Sequence, residues 1–185
     1  ACQLDDLNKE RRVIETQMQQ EATQAVDALK LDKQLPRGIC LYDTGWHQGV
    51  VGLVASRIKE KVHRPVIAFA KVDDETLKGS ARSVAKLHIC NVLDAVAAKH
   101  PALISKFGGH AMAAGLSLPV ANFAAFSKAF AAEVGEHLNE EDLQPTLISD
   151  GELSKEEFSL EVAELLQNAG PWGQGFPEPL FDGEF

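Results

Sequence analysis

Cysteine is scarce in this chain. Among 185 residues there are three, Cys2, Cys40 and Cys90, too far apart for a C-x-x-C pair and odd in number. A zinc ribbon and a disulfide framework are therefore not expected. The reading is reduced thiols in a cytoplasmic protein, with Cys40 and Cys90 as small core residues. Long apolar runs are missing as well. None reaches the length of a membrane span, and the first residues carry no signal-peptide pattern, so no membrane partner is expected. Net positive charge is absent too: 18 Lys and Arg face 27 Asp and Glu, a formal charge of −9. That total alone argues against a nucleic-acid binder. Neither an internal repeat nor a low-complexity segment occurs.

The charge is unevenly spread. Residues 45–115 hold ten Lys and Arg against five Asp and Glu, a net of +5, whereas residues 116–185 hold two against fourteen, a net of −12. Local potential steers a ligand more than the total does. The basic stretch also contains three glycine-bearing segments. They are Gly45-Trp46-His47-Gln48-Gly49-Val50-Val51-Gly52, continuing to Arg57; Lys78-Gly79-Ser80-Ala81-Arg82-Ser83; and Lys106-Phe107-Gly108-Gly109-His110, continuing to Gly115. Each sets Gly beside hydroxyl, imidazole or guanidinium groups, the donors that grip phosphate oxygens.

Hydropathy patterning gives the organisation. Residues 3–32 read as one long helix with a thin apolar seam through Leu4, Leu7, Ile14, Met18 and Leu29, ended by Pro36 and Gly38. Strands are expected at Gly38–Asp43, Pro65–Ala70, Thr76–Arg82, Gly115–Leu118 and Thr146–Asp150. Helices are expected over Val50–Val62, His88–Lys99 and 121–138, and from Ser154 to about Asn168. In the last, Ser154 and Glu157 have the spacing of a capping box. The tail from Gly170 reads as irregular. Alternating apolar strands and amphipathic helices imply an α/β fold: a mixed central sheet flanked by helices, preceded by a long N-terminal linker helix. The expected divisions are a linker at 1–35, a domain at 36–140 and a C-terminal strand and helix at 141–185. In such folds loops at one end of the strands build the site. The Trp46–Gly49, Ser80–Ser83 and Gly108–His110 segments are expected to converge there.

The residues themselves leave some roles open. Gly49 and Gly52 stand where a helix begins, whose exposed N–H groups suit an anion. His47 can donate to phosphate. Trp46 either stacks on a base or packs as a core residue. Arg57 is either a ligand or an ordinary salt-bridging residue. Arg82 offers a planar fork for two phosphate oxygens, with Ser80 and Ser83 adding hydroxyls. The alternative is a solvated Arg at a strand end. Gly108 and Gly109 offer backbone amides, His110 an imidazole and Lys106 a nonspecific phosphate contact. Here the alternative is a tight strand-connecting turn with an incidental His. His63, His88, His100 and His137 lie outside any motif and read as surface or helix-end residues.

Taken in order, the three segments resemble the DHH-associated domain of RecJ-type single-strand-specific 5′→3′ DNA exonucleases, of the DHH phosphoesterase superfamily. The start, Leu7-Asn8-Lys9-Glu10-Arg11-Arg12, is similar to the helix leading out of the catalytic domain of that family. The stretch Gly170–Phe181 is similar to the segment entering its OB-type domain, so the resemblance implies that 141–185 leads into an OB-type domain absent from the chain. Asp-His-His, the family's metal-binding signature, does not occur in this sequence.

The resemblance thus implies a substrate-gripping portion of a metal-dependent exodeoxyribonuclease acting in DNA repair and recombination. Mg2+ or Mn2+ would be held by a catalytic domain absent from the chain, and none by the chain itself. The implied partner is single-stranded DNA, with single-strand-binding or repair proteins as further candidates. His110 is implied as an assistant at the scissile phosphate rather than a metal ligand. Two other readings stay open. One is an oligoribonucleotide or cyclic-dinucleotide phosphodiesterase domain; the other is a non-catalytic nucleic-acid-binding scaffold, with the acidic 133–164 stretch as a partner surface.

Overall fold

A computed structural model describes Gln20 and residues 35–144, 148–173 and 176–183. The long helix expected over 3–32 lies outside the described residues except at Gln20, which is helical. The chain divides into two compact units, Ala1–Gln144 and Pro145–Phe185.

In the first unit the order is β1 (Ile39–Tyr42), α1 (Val51–Val62), β2 (Val66–Lys71), β3 (Thr76–Arg82), α2 (Ile89–Lys99), β4 (Lys106–Gly109), β5 (Ala113–Pro119) and α3 (Phe123–His137). The strands form one mixed sheet in the order β1-β2-β3-β5-β4. β1 and β2 are parallel and joined through α1; the remaining neighbours are antiparallel. The expected third strand is found at its expected bounds. β4 was not expected: Lys106–Gly109 reads as a loop because two glycines lack β propensity, yet it pairs along β5 from Lys106↔Ser117 to Gly109↔Ala114.

β2 is buried on both faces, so its run of apolar residues is continuous. Val66, Ala68 and Ala70 pack with Val51, Val54, Ala55 and Ile58 of α1 on one side. Ile67 and Phe69 pack on the other side with Leu93 and Val96 of α2 and Phe126, Phe130 and Val134 of α3. The buried positions of α1 recur at helical spacing. Its end is set by His63, which adopts the left-handed conformation (φ 51°) and donates its N–H to Lys59 O at 2.8 Å. α2 is capped by His88, whose Nδ1 accepts the Asn91 N–H at 3.3 Å. Cys40 packs against the α2–α3 side, and burial pushes its thiol pKa up. Cys90 is half-exposed on α2 and joins no core cluster, contrary to expectation.

β3 and β5 alternate strictly. Leu77, Gly79 and Ala81, like Ala114, Leu116 and Leu118, face the α2–α3 core. Thr76, Lys78, Ser80 and Arg82, like Ala113, Gly115 and Ser117, face the other way. α1 lies over β2 and β3. The face carried by β3, β5 and β4 is thus left partly uncovered.

In the second unit, α4 (Leu160–Asn168) is the one α-helix among the described residues. The Ser154–Glu157 box forms as expected, with Ser154 N–H on Glu157 Oε2 at 2.9 Å and Glu157 N–H on Ser154 Oγ at 3.3 Å. It closes only a turn, however. Ser159 is extended and is itself the N-cap, its Oγ accepting the Val162 N–H at 3.3 Å, so the helix begins later than expected. Of the expected 146–150 strand, residues 148–150 are described and are not strand. In the tail, Trp172 stacks on Phe176 at 4.7 Å and donates its indole N–H to Leu166 O at 2.9 Å.

Candidate nucleic-acid interface

Cross-strand partners share a face, so the register converts three strands into rows. Lys78 of β3 pairs with Ser117 of β5, and Ser117 with Lys106 of β4. The next row is Ser80, Gly115 and Gly108. The row beyond begins with Arg82 opposite Ala113. Two lysines therefore flank a strip of backbone and one small hydroxyl, on the half of the sheet that α1 leaves open. A groove of about 510 Å³ runs there, lined by Gln48, Thr76, Lys78, Lys106, Gly108 and Ser117 among others. A Cβ built at Gly108 meets nothing within 4 Å.

Electrostatics favour an anion in this groove. Lys78 and Lys106 are exposed and form no ion pair among the described residues. Elsewhere Lys71 pairs with Asp74, Lys86 with Asp142, and Lys99 with Glu133 and Glu136. Arg82 is half-buried. Its Nη1 donates to Ser80 Oγ at 3.0 Å and to Ala81 O at 2.8 Å. These bonds hold the guanidinium in one place next to Gly52 of α1.

The three segments meet on one face, but not at one rim. β1 ends at Tyr42, level with Phe69 and Gly79, so the Gly45–Gly49 loop leaves from that end of the sheet. Arg82 is level with Val66 and Ile39 at the opposite end. The β4–β5 turn carrying His110 lies at the Arg82 end. It is tied there by Ser83 N–H on Met112 O at 3.0 Å and Ile89 N–H on Ala111 O at 2.9 Å. The expectation of a single rim ignored that β3 runs antiparallel to β2. What crosses the sheet is Gln48 from one end and the first turn of α1 above Ser80 and Arg82.

Individual residues divide accordingly. Gly108 and Lys106 belong to the open half-face, whereas Ser80 and Arg82 are half-buried under the first turn of α1. His47 is exposed and its Nδ1 accepts the Gly49 N–H at 3.1 Å, which leaves Nε2 as the ring's outward donor. His110 is exposed, with its backbone N–H on Ala113 O at 2.8 Å. Gly49 is exposed at the start of α1, whose first turn has no side-chain cap. Trp46 is half-buried against the α1-side cluster. Arg57 lies 3.6 Å from Glu60, the salt-bridging reading. Ser83 is 1% exposed and gives its hydroxyl to Leu87 O at 2.6 Å, so it holds the β3–α2 turn rather than facing solvent.

Gly109 has φ +155°, and a Cβ there would come within 2.4 Å of Ala113 O. It is a requirement of the hairpin, the strand-connecting reading, whereas Gly108 is open. Lys78, Ser117, Gly115 and Gln48 were not singled out from sequence. Lys78 was within reach, since it shares parity with Ser80 and Arg82. The other three needed the register.

The site is an open, basic sheet face built from backbone and short side chains of an α/β domain, rather than an enclosed pocket. Residues 35–136 match the DHHA1 domain, and residues 149–185 match the RecJ OB domain. The chain belongs to the DHHA1 domain family, in the form that RecJ exonucleases carry. It is 54% identical over 186 residues to the single-stranded-DNA-specific exonuclease RecJ of Haemophilus influenzae, and 52% identical to that of Escherichia coli. Each comparison takes in 100% of this chain and 32% of the relative, so the chain spans about a third of their length. The crystal structure of RecJ from Thermus thermophilus in complex with Mg2+ superposes with a TM-score of 0.76 at 29% identity, covering 94% of this chain and 26% of that one. Its complex with Mn2+ gives 0.75.

Among the described residues no three His, Cys, Asp or Glu side chains gather as metal ligands. Their donor set does not fit the Mg2+ or Mn2+ of those two complexes. No helix among the described residues is long and apolar enough to cross a membrane.

Proposed function

We propose that this chain is the substrate-gripping portion of an enzyme that degrades single-stranded DNA from its 5′ end, in DNA repair and recombination. Its open half-face takes the DNA backbone. Arg82, Lys78 and Lys106 neutralise phosphates, Ser80, Ser117, His47 and His110 add hydrogen bonds, and the Gly108–Gly115 strip allows close approach. Catalysis belongs to a metal-binding domain elsewhere in the longer protein. This face forms the opposite wall of a cleft too narrow for a duplex.

The observation carrying this reading is the alignment of Lys78, Ser117 and Lys106 in one row of an open groove whose lining has no carboxylate, with Arg82 two rows further along the same face. Contacts to the backbone predict weak sequence preference and strong salt dependence. The test is titration of the chain with oligodeoxythymidylate at several salt concentrations, for the parent and for Arg82→Ala. The expected loss is about 1–3 kcal/mol, one charge-assisted contact. Affinity that ignores both salt and Arg82→Ala sinks the reading. A clean preparation of the chain should also leave single-stranded DNA intact with Mg2+ or Mn2+. Robust cleavage would place catalysis in the chain itself.

A further inference from the structure

Gly52 is the second residue of α1, in a helix otherwise built of residues with side chains. Glycine is a poor helix former, and its backbone here has no left-handed φ that would call for it. Space is what calls for it. A Cβ built on Gly52 would lie 3.0 Å from Arg82 Nη2, 3.3 Å from Ser80 Oγ and 3.9 Å from Arg82 Cζ. The guanidinium has little room to retreat, because Nη1 is already bonded to Ser80 Oγ and Ala81 O. Giving way would lengthen one of those bonds or turn the fork. Gly79, by contrast, makes room on the opposite face, where a Cβ would meet Phe69 at 2.5 Å.

We propose that Gly52 is a positioning residue for Arg82. The bare Cα lets the first turn of α1 settle onto the Arg82–Ser80 pair and fix the direction of the guanidinium. The role differs from that of an anion-binding helix end: Gly52 acts through Arg82 and touches no ligand. Its bearing on DNA rests on the function proposed above; its bearing on Arg82 does not.

The test is Gly52→Ala in this chain, alone and combined with Arg82→Ala. It is read by the NMR resonance of Arg82 Nε–H, by oligodeoxythymidylate affinity and by melting temperature. Alanine suits a helix, so the melting temperature should not fall. The Arg82 resonance should move. Affinity should drop roughly three- to tenfold, part of a charge-assisted contact, and Gly52→Ala should cost nothing further when Arg82 is already Ala. An unmoved resonance, or an equal loss in the Arg82→Ala background, overturns the proposal. If Arg82→Ala itself leaves DNA affinity unchanged, the phosphate reading of Arg82 fails, and the resonance alone still decides whether Gly52 seats it.

Discussion

On one face of β3 and β5, Leu77, Ala81, Leu116 and Leu118 are buried beneath α2 and α3; on the other, Lys78, Ser80, Arg82, Gly115 and Ser117 stand open or half-open. Both faces come from the same fourteen residues, alternating one by one. The closed face is where the apolar area goes, with Phe69, Phe126 and Phe130 in edge-to-face and stacked contact. The open face contributes little burial and carries Lys78 and Lys106, which form no ion pair among the described residues. The alternation lets a chain of net negative charge present a basic surface. Carboxylates such as Glu133, Glu136 and Asp142 are matched with lysines on the α2–α3 side.

The contrast predicts that substitutions on the closed face change stability and those on the open face change affinity. Phe126→Ala is the largest expected effect. It should cost about 3–5 kcal/mol in urea denaturation and leave the DNA affinity of the folded protein unchanged. A large loss of affinity per folded molecule would show the faces to be coupled.

Gly109→Ala is the sharpest attempt to break the rule, because it lies beside the open face yet serves the hairpin. Its φ and the clash with Ala113 O should cost about 2 kcal/mol of stability, more than it costs binding. Retained stability with lost affinity would return Gly109 to the binding surface.

Glu133→Gln comes next. Glu133 is 5% exposed and accepts from Lys99 at 2.7 Å. That hydrogen bond, with a smaller contribution from His137, holds its carboxyl below the ordinary value of 4.5. A depressed carboxylate contributes stability above the unfolded value and loses it as pH falls through the folded one. The variant should be about 1–2 kcal/mol less stable at neutral pH. The difference should shrink as pH falls below 4.5. A difference that persists or grows in acid would contradict the ion pair.

Lys78→Ala and Lys106→Ala should have the smallest effects. Each should lower the slope of log affinity against log salt by about one while barely moving the melting curve. A slope unchanged by both would remove the lysine row from the interface.

Much of this was legible along the chain. Thr76–Arg82 alternates, α1 and α3 repeat at helical spacing, and the basic excess over 45–115 coincides with the glycine-bearing motifs. Local signals failed where two local options competed. Ser154 and Ser159 are both good caps, and the sequence alone does not rank them. Lys106–Gly109 reads as a loop because its glycines lack β propensity, and only pairing with β5 makes it a strand. Ser83 and Ser80 look alike as donors. Their difference is burial, which depends on the turn that closes over Ser83.

What the sequence by itself determined is which residues are apolar, which are cationic and with what period they recur. That suffices for the elements and for Arg82 and Ser80 on a common side. What only the tertiary structure decided is the meeting of Lys78 with Lys106 across Ser117, the placement of Gly52 over Arg82, and the spread of the site across a face instead of a rim. Those depend on strand order and direction, set by long-range pairing and by which half of the sheet α1 covers. No window of neighbouring residues contains that information.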